Sequence, residues 1–522
     1  MSVRFLEPFV FLSPKLCRTA AMVILPACAA IYAAFRVAAF VQPPTKEEGM
    51  AEAGAQDFAA VAYGLPPEFG ADLLIRLSRQ PSIARDKRRG MLVDAFRMAS
   101  GAFRRFPTVY LGRNGDTRAG YAQFASELGL DALTLQCRAI DALAAISVSD
   151  AIGLLTEVDW PEIPHAGCEA ASAPDLAIYF DSLTKLTQLP EPPSKRVRQT
   201  LEEALHRSIA RIRSNSEATA AARLLVTLPA RRDLLIELIS AYGGSIEAVP
   251  SDLRSFVYFF QKGSDNFYHL LLRAQDAETA IPLGRSLRTY VVNNLNSEHC
   301  KDLPTGRRKA ASDIAPDPPG RPEKRVPEAL DWPMVQSFNQ DLRRIPGLAG
   351  VIPEISADDL RQQELGRESK DFPYWHSPSA RRLLLEIRKL SSSRPGESSD
   401  PVEMQEWVNR VTAFLKDLDG WKPTAEDSFV DHFHQKSALY LKAIELTTGA
   451  SRNLVLADFL HHMEQSYEQL HDKAEWFCHM APILEGPHEN QDYRNAIAER
   501  CQRSPNPVLA AYSKFFQAFG TR

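Results

Sequence analysis

Apolar residues recur every three to four positions through nearly all of the chain after residue 42, which is the spacing that places them on one face of an α-helix. The segment 130–160, LDALTLQCRAIDALAAISVSDAIGLLTEVDW, predicts two helices with Ser147 as N-cap of the second. Its first helix is apolar on two faces, which is typical of a helix covered on both sides. A short strand is predicted only at 107–115, PTVYLGRNG, where a loop ending in a turn at Asn114–Gly115 is the alternative. The pattern therefore predicts an all-α fold.

Similar helix pairs recur along the chain. In 216–244, Pro229 separates two predicted helices, and Gly243–Gly244 are expected to end the second. In 376–390, HSPSARRLLLEIRKL, Ser377 is a predicted N-cap and Pro378 the first helical residue. The pairs have no fixed repeat period, but they resemble tetratricopeptide-like repeats in architecture. We therefore predict an irregular helical-hairpin repeat, an α-solenoid in two parts.

A change of composition divides the chain after residue 299. Residues 300–327, CKDLPTGRRKAASDIAPDPPGRPEKRVP, lose the helical periodicity and contain six prolines, which is typical of an extended linker. We predict an N-terminal helical-repeat domain over 42–299, a Pro-rich linker over 300–327 and a C-terminal helical domain over 328–522. A second hinge is expected at 391–400, SSSRPGESSD.

The first 41 residues have the parts of a secretory signal. Basic residues precede an uncharged run from Thr19 to Phe35. That run is at the lower limit for spanning a bilayer, and Pro26 interrupts it. We predict a signal peptide over 1–41, with an N-terminal membrane anchor, a buried first helix and a start at Met22 as alternatives. The protein is accordingly expected to be exported, either periplasmic or associated with the cell envelope.

The net charge and the motifs of the sequence limit the possible functions. With 61 basic and 65 acidic residues the formal net charge is −4, which argues against a dedicated nucleic-acid binder. No two of the seven cysteines form a C-x-x-C pair, and Cys137 has the surroundings of a core residue. The sequence also lacks the G-x-S-x-G, H-E-x-x-H and P-loop motifs. We therefore predict a non-enzymatic interaction or scaffold protein that binds a protein or peptide partner, without cofactor and without nucleic acid.

The segment 461–480, HHMEQSYEQLHDKAEWFCHM, contains four of the 12 histidines. In a continuous helix one stripe of residues at helical spacing packs inward: Leu460, Met463, Tyr467, Leu470, Ala474 and Phe477. A second stripe, which includes His461, His471 and Cys478, lies beside the first and is expected to face solvent. Asp472 and Glu475 have the spacing of a capping box, so a helix break near His471 is the other interpretation. Both interpretations leave the imidazoles in water.

The alternative function is enzymatic. His434, the pair His471–Asp472 and Asp492 resemble the order of ligands in the HD-type metal phosphohydrolases, an all-helical family, over about sixty residues. The resemblance implies a divalent metal held by His434, His471 and Asp472, with Asp492 as a further catalytic residue. Such a metal would activate water and hold a phosphate.

A second metal-site hypothesis comes from the Glu-x-x-His spacing. Glu203–His206 and Glu468–His471 both have this spacing, which resembles that of the di-iron helical bundles. Such a site would also need two further glutamates that point inward, and the two motifs lie on opposite sides of the predicted linker.

Overall fold

The computed structural model describes residues 57–112, 117–163, 171–189, 194–229, 231–276, 278–297, 333–360, 375, 377–396, 400–423, 428–485 and 491–519. Helices make up 74% of the structure, and the strands in the described residues form one small two-stranded sheet. The predicted all-α character is therefore confirmed. The predicted leader, the Pro-rich linker and the Asn114–Gly115 turn lie outside the described residues.

The elements before the predicted linker are α1 (Pro67–Ser78), α2 (Arg85–Ala99), β1 (Thr108–Tyr110), α3 (Arg118–Glu127), α4 (Ala132–Ala144), α5 (Val148–Thr156), β2 (Ser172–Pro174), α6 (Ala177–Gln188), α7 (Lys195–Ala210), α8 (Asn215–Thr227), α9 (Arg232–Glu247), α10 (Leu253–Asp276) and α11 (Ala280–Leu295). A further helical stretch spans 57–63. The elements after the linker are α12 (Pro333–Arg344), a 3₁₀ helix (Ala357–Asp359), α13 (Pro378–Ser392), α14 (Pro401–Gly420), α15 (Phe429–Leu446), α16 (Gly449–Ser466), α17 (Lys473–Phe477), α18 (Ala481–Glu485), α19 (Gln491–Gln502) and α20 (Pro507–Phe519).

Helices in the N-terminal half contact their next-but-one neighbours along the chain. α4 packs on α6, α6 on α8 and α8 on α10, whereas α5 packs on α7, α7 on α9 and α9 on α11. The two-faced apolar pattern of α4 explains this, because the helix buries residues against both α2 and α6. Cys137 of α4 is fully buried, as its apolar surroundings predicted.

Several local predictions are confirmed. The Ser147 side chain accepts a hydrogen bond from the backbone N–H of Asp150 and caps α5. Ser377 caps α13 in the same way, and Pro378 is the first helical residue. The short strand predicted in PTVYLGRNG is β1, which pairs antiparallel with β2, so that Val109 lies opposite Ala173. β2 was not predicted from the sequence.

The predicted helix stop at Gly243–Gly244 is wrong, because α9 continues through both glycines to Glu247. Gly243 is buried beside α11, and a Cβ at this position would lie 3.2 Å from Ser286 Oγ. The glycine therefore permits a close approach of two helices and does not end one of them.

Helices from before and after the predicted linker pack together. The Phe69 ring of α1 lies edge-on to the rings of Phe477 and Tyr512, at 5.2 and 5.9 Å between centroids. Asp72 of α1 is buried and bound by Arg138 and by the Tyr512 hydroxyl. The predicted domain limits themselves stay a prediction. Within the described residues no helix has both the length and the apolar character needed to cross a membrane.

Candidate functional site

The histidine-rich segment breaks at Asp472. α16 ends at Ser466 and α17 begins at Lys473. The Asp472 side chain caps α17 by accepting hydrogen bonds from the backbone N–H groups of Ala474 and Glu475, at 3.0 and 3.1 Å. The interpretation with a helix break is therefore confirmed. The predicted inner stripe, from Leu460 to Phe477, is nevertheless buried.

The break brings two imidazoles together. His479 follows α17, and its Nε2 lies 2.8 Å from Nδ1 of His434 on α15. The two residues are 4% and 0% exposed, so the prediction that the imidazoles of the segment 461–480 face water is wrong for His479. The physical reason is the helix break: His479 follows α17, a separate helix that begins at Lys473, so the helical spacing of α16 does not fix its position. His461 and His471 are exposed, as predicted.

Helix α3 covers the imidazole pair with an aromatic ring. Tyr121 is stacked on His434 with 4.9 Å between ring centroids and 15° between ring planes. The centroid of the same tyrosine lies 5.6 Å from that of the His479 ring, and the centroid of Phe433 lies 5.5 Å from it. Because α3 packs on α17, the tyrosine is fixed over both rings. The pair is thus enclosed by aromatic side chains and largely shielded from water.

A carboxylate faces the other nitrogen of His434. Glu475 Oε2 lies 3.9 Å from His434 Nε2, and Nε2 has no hydrogen-bond partner among the described residues. Burial acts to raise the pKa of Glu475, but the neighbouring His434 and Arg104 outweigh it and lower that pKa. Arg104 also forms an ion pair with Asp472. Glu475 is therefore held as an anion next to the orphaned ring nitrogen.

Cys478 completes the cluster. Its Sγ donates a hydrogen bond to the backbone carbonyl of Glu475 at 3.1 Å, and burial raises the pKa of the thiol. Burial also lowers the pKa of His479 well below its ordinary value, with His434 and His462 acting in the same direction. At neutral pH the thiol is therefore protonated and His479 is neutral, which does not favour a cysteine nucleophile. One ligand atom from each of His434, Cys478 and His479 lies within 4.8 Å of the others, and these side chains are of the types that bind zinc.

Two adjoining clefts open beside this cluster. The first has a volume of about 630 Å³ and reaches Cys478 and His479. The second, of about 660 Å³, extends toward α13. The two clefts share four lining residues: Tyr121, Phe124, Ala438 and Lys442. A ligand in the first cleft would therefore lie against the cluster, and a longer one would continue into the second.

Most residues of the two metal-site hypotheses made from the sequence lie outside this cluster. His471 is exposed and Asp472 is occupied as an N-cap and ion-pair partner. Asp492 lies in the first turn of α19, and its side chain is outside the described part of the structure. Of the Glu-x-x-His pairs, Glu203 and Glu468 are exposed, and His206 lies 3.5 Å from Glu237. Of the residues in these two hypotheses whose side chains are described, only His434 belongs to the buried cluster. The phosphohydrolase alternative stays a prediction.

Sequence reasoning missed Glu475, Cys478, His479 and Tyr121 as members of one site. The available signal was the adjacent pair Cys478–His479 just after a short capped helix. No known protein family, curated protein or solved structure matches this chain. Function is therefore inferred from the helix packing, the clefts and the buried cluster.

Proposed function

We propose that this chain is a non-enzymatic helical-repeat interaction protein that holds a segment of a protein partner in the paired clefts. The contacts between next-but-one helices from α4 to α11 support the repeat, because stacked helical hairpins produce this pattern of neighbours. The drifting spacing of the helices agrees with an irregular α-solenoid. Such a stack leaves extended surfaces on which a partner can lie.

The observation that carries the proposal is the position of Phe124. Its side chain is 45% exposed and stands in the wall that the two clefts share. The floor around it is largely apolar, with Leu441 in the first cleft and with Leu384 and Ile387 in the second. An exposed aromatic ring in a mainly apolar cleft of this size is typical of a binding surface.

The charges on the cleft rims define the partner's chemistry. The second cleft is lined by Arg388 and Lys442 and by no carboxylate among the described residues. The first cleft adds three glutamates to Lys442: Glu127, Glu445, which is ion-paired with Lys442, and Glu485, which is ion-paired with Arg76. We infer that the partner segment is apolar in the middle, acidic at the end near Arg388 and basic at the other end. A nucleic acid does not fit, because its phosphates would meet these glutamates.

Site-specific crosslinking in the producing cell tests the proposal. A photoreactive phenylalanine analogue in place of Phe124 should yield a discrete crosslinked polypeptide. Phe103 is the matched control. It is also a phenylalanine and is more exposed, at 59%, but it lines neither of the two clefts. The analogue at Phe103 should not give that product.

A charge reversal supplies the second arm. In the Phe124 analogue protein, Arg388→Glu should reduce the yield of the crosslinked product at least fivefold, since it would repel an acidic segment. Reversal of Arg382, which is paired with Asp417 outside the clefts, should leave the yield unchanged. The proposal fails if Phe124 gives no polypeptide product, if Phe103 gives the same one, or if the two reversals act alike.

Export of the protein is also a proposal. It rests on the leader-like residues 1–41, which are outside the described residues. N-terminal sequencing of the protein from envelope and periplasmic fractions tests it, since a cleaved leader leaves a mature terminus near residue 42. An uncleaved terminus at Met1 in the cytosol would contradict it.

A further inference from the structure

His434 has a buried ring nitrogen for which the described residues supply no hydrogen bond. Nε2 belongs to a side chain that is 0% exposed, and the Glu475 carboxylate lies 3.9 Å from it. A buried polar atom without a partner is costly. The His434 ring lies between the His479 imidazole, which faces Nδ1, and the Glu475 carboxylate, which faces Nε2. This arrangement needs a physical explanation.

Metal coordination supplies such a reason. A histidine that binds a metal through one ring nitrogen commonly donates its other N–H group to a carboxylate, which fixes the ring and raises its basicity. In His434 the Nδ1 atom faces His479 Nε2, whereas Nε2 faces Glu475. The ring thus has the orientation that a metal on Nδ1 and a carboxylate partner on Nε2 require.

We propose that Nδ1 of His434, Nε2 of His479 and Sγ of Cys478 bind one zinc-class divalent metal ion. The Glu475 carboxylate, now 3.9 Å from His434 Nε2, then moves closer and accepts a hydrogen bond from it. Zinc bonds of about 2.0–2.1 Å to nitrogen place two tetrahedral ligand nitrogens roughly 3.3 Å apart. The two imidazole nitrogens, now 2.8 Å apart, would therefore separate by roughly 0.5 Å. Cys478 loses its thiol proton to solvent. Each imidazole stays neutral with one proton on the nitrogen that does not bind the metal, so the ring that donates the hydrogen bond between His434 and His479 transfers that proton to its other nitrogen.

The donor set and its surroundings select the class of metal. Two imidazoles and one thiolate are borderline to soft ligands that suit zinc and cobalt better than magnesium or calcium, which prefer oxygen. Cys478 and His479 line the first cleft, so a water molecule or a ligand in that cleft can reach an ion that these two residues hold. Three protein ligands with one exchangeable position are typical of accessible zinc sites.

Cobalt titration of the purified full-length protein tests the proposal. After treatment with a chelator and its removal, Co²⁺ should bind at one equivalent and give the near-ultraviolet charge-transfer absorption of a thiolate ligand together with the visible bands of a tetrahedral ion. Zn²⁺ should displace it. Cys478→Ser should abolish the charge-transfer absorption, and His434→Gln should weaken Co²⁺ binding at least tenfold.

Controls separate this site from the other thiols and imidazoles of the chain. Cys501→Ser changes a buried cysteine on α19, and His471→Gln changes an exposed histidine near α17; both variants should keep the spectrum and the affinity. Far-ultraviolet circular dichroism checks the fold of each variant. If His434→Gln does not fold, Cys478→Ser decides the test, because its side chain is only partly buried and serine replaces it with little change of volume. Absence of one-equivalent binding, or the same charge-transfer absorption in Cys478→Ser, would overturn the proposal and leave the imidazole pair as a structural hydrogen bond.

Discussion

The hydroxyl of Tyr512 donates a hydrogen bond of 2.7 Å to the Asp72 carboxylate, across a separation of 440 residues in sequence. Both side chains are buried. Asp72 also accepts a hydrogen bond from Arg138 at 2.5 Å and forms an ion pair with Arg76 at 2.7 Å. One buried carboxylate thus ties the last helix, α20, to α1 and α4.

Removal of the Tyr512 hydroxyl should destabilise the protein. Tyr512→Phe leaves the buried carboxylate with one donor fewer, and a hydrogen bond to a charged group contributes about 1.5–3 kcal/mol. We expect the free energy of unfolding in urea to fall by about 2 kcal/mol. Tyr63→Phe is the control, because the Tyr63 hydroxyl bonds Asp94 on the exposed surface, and its effect should stay below about 0.5 kcal/mol. Equal losses in the two variants would contradict the prediction.

Stability should fall in acid because of Asp72. Burial acts to raise the pKa of Asp72, but Arg138 and Arg76 outweigh it and lower that pKa from 3.8 to about 2. A carboxyl with a lowered folded-state pKa stabilises the folded state above its unfolded pKa, and the contribution is lost as pH falls through the folded value. We expect a loss of about 2 kcal/mol between pH 4 and pH 2 from this group. Urea unfolding across this pH range measures it. Asp72→Asn should be less stable at pH 7 and should show a shallower acid slope, and an unchanged slope would refute the assignment.

Two glycines should respond to alanine with opposite signs. A Cβ at Gly70 of α1 would lie 2.5 Å from the backbone oxygen of Ala62 and 2.5 Å from the Met98 sulfur. Because the backbone cannot move away without a large cost in free energy, Gly70→Ala should lower the free energy of unfolding by about 1–3 kcal/mol. Gly90 of α2 is exposed and a Cβ there meets nothing within 4 Å, so Gly90→Ala should stabilise by up to about 1 kcal/mol. Thermal unfolding of both variants measures the difference, and a stabilising Gly70→Ala would show that α1 and α2 pack less closely.

Glu475→Gln should weaken the metal site without removing it. The amide keeps the size of the side chain but not its charge, so the His434 ring loses its anionic partner. Since Cys478 and both imidazoles are unchanged, the charge-transfer absorption of bound cobalt should persist while the affinity falls about 10–100-fold, as for other residues that orient metal ligands. Glu468→Gln alters an exposed glutamate and should have no effect. If Glu475→Gln leaves the affinity unchanged, the carboxylate does not orient His434.

The sequence by itself determined the local structure of this protein. Helices, caps and proline breaks depend on residues within a few positions of one another, so Ser147, Ser377, Pro229 and the break at Asp472 were predictable. The inner stripe of the histidine-rich segment was predictable for the same reason, since helical spacing alone places its residues on one face.

Only the tertiary structure decided where the polar side chains of distant helices meet. The contact between Tyr121, His434 and His479 joins residues more than 300 positions apart, and no local pattern encodes such a pairing. The pair Gly243–Gly244 is typical of a helix end, but Gly243 lies inside α9, where the lack of a side chain lets α9 pack closely against Ser286 of α11. The surroundings of the imidazoles were also decided by the tertiary structure. Periodicity assigns a residue to one face of its own helix. Packing of the whole core sets the direction of each helix, and that direction decides whether the face meets water or another ring.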